Sequence, residues 1–289
     1  MHPILFHIFG RPIYSYGVMA ALGFLSAILT WQWLGRHENR PPGFAADLGF
    51  WLMTSGIIGA RAAYVIANWP YYSAHPHRIL LITEGGLIFY GGFILAALAL
   101  ILFARRHRHP LWRLADYAIP GLAIGHALGR IGCHLNGCCY GRPLPPLDPA
   151  TATPTPSLLA PLARLLSTTY PPLCEPGHLY PDTPLYAVQL IEATGLILIW
   201  LLLLRAYRRR WPDGTVFALY LILYPPLRFT LEYLRGDPRQ TWHTLSIAQT
   251  LSLVLFLTGL ALLHWRTRPR TPHTPRHPPP TPPRSPVAP

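Results

Sequence analysis

Three arginines stand inside long apolar stretches of this chain: Arg61, Arg130 and Arg228. Charge at mid-membrane depth costs about 2.5–3.5 kcal/mol per side chain on insertion scales, so each requires a partner or a task. The acids available in comparable stretches are Glu192 and Glu232, with Asp47 and Asp116 nearer the opposite ends. Glu232 follows Arg228 by four residues and shares its helical face, so the two can pair. Three arginines against two glutamates leave spare positive charge, and in a membrane the phosphate of a phospholipid is a ligand that satisfies it. Tyr16, Tyr90, Gln189, Ser246 and Gln249 add polar groups at the same ends of their stretches, so every apolar stretch contributes to one level. Taken one at a time, such residues are as well explained by snorkelling to the interface. Their convergence argues for one site.

The elements that carry these residues are membrane spans. Of 289 residues, 51% are hydrophobic and only 12% charged, well short of the quarter usual in soluble domains. Runs such as Gly195–Leu204 and Leu251–Leu263 carry no charge at all. Seven stretches are long and apolar enough to cross a bilayer: Tyr14–Leu34, Phe44–Ala67, Gly86–Phe103, Leu114–Cys133, Tyr186–Leu204, Thr215–Tyr233 and Leu245–Leu263. The expected fold is an all-α integral membrane protein with about seven transmembrane helices. Glycines four apart (Gly121, Gly125, Gly129) and the pairs Gly56/Ala60 and Gly59/Ala63 are expected to line close helix contacts.

Arginine supplies all 24 basic residues. Fifteen fall on one set of connecting segments, among them Arg36, Arg105, Arg205 and the tail, and six on the other. By the positive-inside rule the N-terminus lies outside and the C-terminus in the cytoplasm, with the polar level at the outer face. The N-terminus has no charged leader with a cleavage site, so the first span is expected to remain as an anchor. Residues 1–267 form the membrane domain, interrupted by a proline-rich outer loop at about 143–183. Residues 268–289 read as a disordered, basic, proline-rich cytoplasmic tail. A net charge of +13 does not point to nucleic acid, because no soluble basic domain carries it.

The segment Gly125–Pro143 (GHALGRIGCHLNGCCYGRP) resembles the G-R-I-G-N-F-x-N-G-E-x-x-G signature of bacterial prolipoprotein diacylglyceryl transferases. Further matches follow in family order: Tyr16-Gly17, Gly85-Gly86 with Gly91-Gly92, Gln189-Leu190-x-Glu192, Gly214-x-x-Phe217, Arg228-Phe229-x-x-Glu232-x-x-Arg235-Gly236-Asp237 and Ser246-Ile247-x-Gln249. The resemblance implies a multi-pass protein of the bacterial inner membrane, with its active site facing the periplasm or outer face. It implies transfer of the diacylglyceryl group of phosphatidylglycerol to the cysteine thiol of a lipoprotein precursor, with glycerol phosphate released. Carried over by position, Arg130 and Arg228 hold and activate the phosphate and Glu232 fixes Arg228. The resemblance also implies that Tyr16, Arg61, Asn136, Gly141, Gln189 and Glu192 shape the lipid pocket, and it implies no metal or organic cofactor.

Three positions depart from the family pattern. Tyr90 stands where many members have the histidine proposed as base, Cys133 replaces the asparagine of G-R-I-G-N, and Cys138 replaces the glutamate of N-G-E. Tyrosine ionises near pH 10 and needs a nearby cation to act as a base; His126, one turn before Arg130, is the alternative. Cys133, His134, Cys138 and Cys139 match none of the usual zinc spacings, so they read as cysteines standing in for polar groups. A Cys139–Cys174 disulfide across the proline-rich loop is a second option. A binding protein that has lost catalysis, and an anion or lipid transporter, are competing readings. Against the transporter, no internal repeat or interrupted pair of spans is visible.

Overall fold

The computed structural model describes residues 2–81, 85–144, 165–209, 211–238, 241–242 and 244–268. The expected tail from 269 and the central part of the proline-rich loop, 145–164, lie outside them. Among the described residues seven helices have 18 residues or more: α1 (Ser15–His37), α2 (Phe44–Ala67), α4 (Phe89–Arg106), α5 (Leu111–Asn136), α7 (Val188–Arg208), α8 (Thr215–Glu232) and α9 (Ile247–Thr267). Five of them, α1, α2, α4, α7 and α9, are long and apolar enough to cross a membrane. The two others, α5 and α8, carry the polar groups described below. Most helices run beyond their apolar stretch at one end, to His37, Arg106, Arg208 and Thr267, where basic side chains favour the helix C-terminus and reach water.

Small elements absent from the sequence expectation cap the bundle. Strands β1 (Ile4–Ile8) and β2 (Arg11–Tyr14) form an antiparallel hairpin before α1, turning at Phe9 and Gly10, both at positive φ. A short helix α3 (Trp69–Ala74) and a 3-10 turn (Pro76–Leu80) follow α2. Between α5 and α7 lie β3 (Ser167–Thr168), α6 (Glu175–Leu179) and β4 (Leu185–Tyr186), packed around Tyr140, Tyr170 and Cys174. A last pair, β5 (Thr241–Trp242) and β6 (Leu245–Ser246), leads into α9.

In the bundle, α1 packs along α5, α2 along α4, α5 along α7 and α8 along α9. Missing side chains permit the closest approaches. A methyl group on Gly125 would meet the Gly23 carbonyl at 3.3 Å, and one on Gly92 would meet that of Gly56 at 2.8 Å. Gly121 lies against the Trp31 indole. Gly129, expected on the same stripe, faces open space, and Gly132 takes the place against Tyr16 and Met19. The reason is geometric: at 3.6 residues per turn, a spacing of four drifts by about 40° per step, whereas a spacing of seven stays on one face.

The ends of the bundle are held differently. Where α1 ends, Glu38 accepts hydrogen bonds from Tyr207 of α7 at 2.6 Å and Arg40 at 2.8 Å, with Arg113 of α5 at 3.4 Å. Close by, Asp116 accepts the backbone N–H groups of Gly214 and Phe217, each at 2.7 Å. It therefore caps α8 from a neighbouring helix, satisfying donors that α8 cannot satisfy itself.

Candidate active site

At the opposite end, α5, α7 and α8 bring four charged side chains into an apolar setting. Helix α5 presents His126 and Arg130 on one face, and Glu192 of α7 lies between them and α8. Arg130 Nε stands 3.1 Å from Glu192 Oε1, and His126 Nε2 stands 3.9 Å from the same oxygen. The Tyr224 hydroxyl of α8 donates to it at 2.9 Å. One turn further along α8, Arg228 meets Glu232 at 2.7 Å. Tyr224, Arg228 and Glu232 recur every four residues and so share a stripe. Tyr224 was not among the residues singled out from the sequence, although its spacing from Arg228 was a readable signal.

The pairs are close but poorly aligned. Among the described residues, Arg130 Nε, Arg228 Nη1, both Glu232 oxygens, Gln189 Oε1 and His134 Nδ1 are buried without a hydrogen bond of acceptable angle. Only Trp200 Nε1 shares that condition elsewhere. A buried polar atom left so costs about 1–3 kcal/mol, and a cluster of them is a place where ligand atoms would be accepted. Glu192 is 2% exposed and Arg228 8%, so these charges face each other rather than bulk water.

Arg61 behaves otherwise. Its guanidinium donates to the carbonyls of Arg78, Ile79, Leu81, Gly85 and Gly86 at 2.6–3.2 Å and lies over the Tyr72 ring. Its donors go to the segment between α3 and α4, so two arginines, Arg130 and Arg228, face two glutamates at the polar level, and the spare positive charge expected from three arginines is not found there. Ser246 and Gln249, also expected at the polar level, bond to one another as a capping box at the start of α9. Tyr90 stands half-exposed in the first turn of α4, its ring against Phe89. Among the described residues no hydrogen bond, ion pair or ring contact brings it to Arg130, Glu192 or Arg228.

The loop after α5 closes the site. Asn136 is the last residue of α5, and Tyr16 packs on Gly132 one turn earlier. Gln189 donates to the Cys138 carbonyl and to the Tyr170 hydroxyl, both at 2.8 Å. Burial pushes the Tyr170 phenol up to about 12, against the opposing effect of that hydrogen bond, so it stays neutral. Gly141 is pinned on two sides: it bridges to Arg235, and a methyl group there would meet the Tyr186 side chain at 2.8 Å. Arg235 is held to Asp237 by two hydrogen bonds of 3.0 Å, while burial raises the Asp237 carboxyl above its ordinary range. The four cysteines are free thiols, so the Cys139–Cys174 disulfide is not formed.

One end of an apolar helix bundle thus carries two guanidiniums, each beside a carboxylate, next to a glycine-pinned loop. The sequence model described as prolipoprotein diacylglyceryl transferase matches residues 3–265. The chain belongs to the prolipoprotein diacylglyceryl transferase family. Among its relatives, the phosphatidylglycerol--prolipoprotein diacylglyceryl transferase of Symbiobacterium thermophilum is 33% identical over 271 residues, covering 92% of this chain and 93% of that protein. Those of Trichormus variabilis and Clostridium perfringens are 34% and 31% identical, covering 92% and 91% of this chain and 91% and 94% of theirs. The transferase family match runs through every helix of the bundle, so this is a membrane protein of transferase ancestry along nearly its whole length.

Proposed function

We propose that this chain transfers the diacylglyceryl group of phosphatidylglycerol to the cysteine thiol of a lipoprotein precursor. In that reaction a sulfur–carbon bond forms at the glycerol carbon bearing the phosphate. The carbon–oxygen bond to the phosphate breaks, and glycerol phosphate leaves. The observation that carries the reading is the pair of guanidiniums, half-buried Arg130 and buried Arg228, each beside a carboxylate yet with a buried donor left unaligned. Such donors stabilise negative charge as it develops on the leaving phosphate. Glu192 and Glu232 hold them in place, and Tyr224 keeps Glu192 oriented.

The thiol must lose its proton to become a nucleophile. His126 stands within the charged cluster and Tyr90 stands outside it, so His126 takes the role of base. Tyr16, Asn136, Gly141 and Gln189 shape the headgroup end of the pocket, and Arg61 supports it by holding the loop before α4. All seven long helices cross the bacterial inner membrane, with the N-terminus outside and the C-terminus in the cytoplasm, and the site opens toward the periplasm or outer face. The arginine distribution supports that orientation.

The test is direct. Purified full-length protein is incubated with phosphatidylglycerol and a peptide bearing a lipoprotein signal cysteine, and the peptide is weighed. A diacylglyceryl mass added at the cysteine supports the reading. Unmodified peptide, under conditions where the Symbiobacterium thermophilum relative modifies it, overturns it.

A further inference from the structure

Directly after α5 the chain turns through two left-handed residues, Gly137 (φ 76°) and Cys139 (φ 59°). Glycine adopts such angles freely; cysteine rarely does, so the surroundings must impose it. The turn folds Cys138 and Cys139 back over the last turn of the helix. The Cys138 amide donates to the Cys133 carbonyl at 3.1 Å, and its sulfur lies 3.6 Å from that oxygen. In consequence the sulfurs of Cys133, Cys138 and Cys139 all lie within 4.8 Å of one another.

The loop carrying them is clamped on both flanks. Gln189 holds the Cys138 carbonyl, and the Tyr186 amide donates to the Arg142 carbonyl at 3.1 Å. On the other side the Gly236 amide donates to the Tyr140 carbonyl at 3.1 Å, and the Arg142 amide to the Leu234 carbonyl at 2.8 Å. The three thiols are thus set in position by the fold.

We propose that Cys133, Cys138 and Cys139 form a binding site for one thiophilic metal ion, Zn²⁺ or Cu⁺, held through three sulfurs. Zn–S bonds of about 2.3 Å place the sulfurs of a tetrahedral site about 3.8 Å apart. Closing a 4.8 Å cluster onto an ion therefore takes about 1 Å of movement, which side-chain rotation supplies. Sulfur ligands select such ions over Mg²⁺ or Ca²⁺. Three S–H protons leave as three metal–sulfur bonds form, and no electron is transferred. The complex carries net negative charge, and the Arg130 and Arg235 guanidiniums, both near enough to Cys139 to act on it through charge, offset it. His134 turns toward the Tyr170 ring, 6.2 Å between centroids, so the ligand set is three sulfurs without the histidine. The adjacent pair Cys138-Cys139 fits no usual zinc spacing, because it depends on the left-handed turn at Cys139. The site borders the transfer site and shares Arg130 and Gln189 with it, but metal binding is read without the transfer reaction.

The experiment uses full-length protein in detergent, reduced and kept free of oxygen, with one equivalent of Zn²⁺ or, separately, Cu⁺. After desalting, metal is counted by elemental analysis and its neighbours are read by X-ray absorption. One ion per chain with a shell of three sulfurs is expected. Cys133→Ser and Cys139→Ser should each weaken retention by roughly tenfold or more. Cys174→Ser, whose sulfur is buried in the Tyr170 cluster, should retain the ion. Alkylation gives a second readout independent of how well the variants fold: bound metal should protect three of the four cysteines of the unaltered protein. No retained metal in the folded, reduced protein would overturn the proposal. So would a shell without sulfur, or four thiols that alkylate equally with and without metal.

Discussion

The two ends of the bundle hold similar charges in opposite ways. At the Glu38 end both oxygens of each of two carboxylates are engaged: Glu38 by Tyr207, Arg40 and Arg113, and Asp116 by two backbone amides. At the Arg130 end the charges are paired in distance but not in angle, and the unaligned buried atoms gather there. A fully satisfied cluster stabilises the fold. A partly satisfied one is less stable than it could be, and the remaining donors are what a phosphate would use. Stability and activity should therefore separate between the two ends.

The largest effect that would break this contrast lies at α8. Arg228→Gln with Glu232→Gln keeps the size of the pair and removes its charge, and replacing a buried pair together costs little stability. Turnover should fall by about 10²–10³-fold while the melting temperature stays nearly unchanged. His126→Gln removes the proposed base and should lower turnover by about 100-fold, with Tyr90→Phe changing it far less; the reverse order would return the role to Tyr90.

At the Glu38 end the effects should appear in melting curves instead. Asp116→Ala leaves the Gly214 and Phe217 amides of α8 uncapped and should cost about 2 kcal/mol, with turnover preserved below the melting point. The smallest expected effect is at Glu38. Burial pushes its carboxyl up, but the Tyr207 hydrogen bond and the charges of Arg40 and Arg113 outweigh that and hold it below the ordinary range. Its stabilising contribution is therefore complete above the unfolded value of about 4.3 and fades as pH falls through the lower, folded one. Melting temperature measured against pH should show this small loss, and Glu38→Gln should flatten it.

Helix positions were legible because an apolar run of about 20 residues leaves few alternatives. The seven stretches agree with the seven long helices to within a few residues at each end. The N-terminal hairpin was not legible, since its turn uses Phe9 at positive φ, a residue that carries no turn signature. For the site, Arg228 and Glu232 could be paired from their spacing, because helical periodicity alone brings them together. Arg130 and Glu192 could not, because they meet only through the packing of α5 on α7. Arg61 shows the limit most plainly: sequence reveals a buried charge, but its partners are backbone carbonyls, which no side-chain pattern records. Ser246 and Gln249 carried the spacing of a capping box, and that bland reading describes them better than a place in the polar site.

The Arg130 end is thus assigned to chemistry and the Glu38 end to holding the fold. The most direct measurement compares the Arg130→Gln/Glu192→Gln double variant with Asp116→Ala, recording thioether formation on a signal-cysteine peptide and thermal melting for both. The first should lose peptide modification and keep its melting temperature, and the second should do the opposite. If both variants lost activity only in proportion to lost stability, the Arg130 cluster would be another structural clamp, which contradicts its assignment to chemistry.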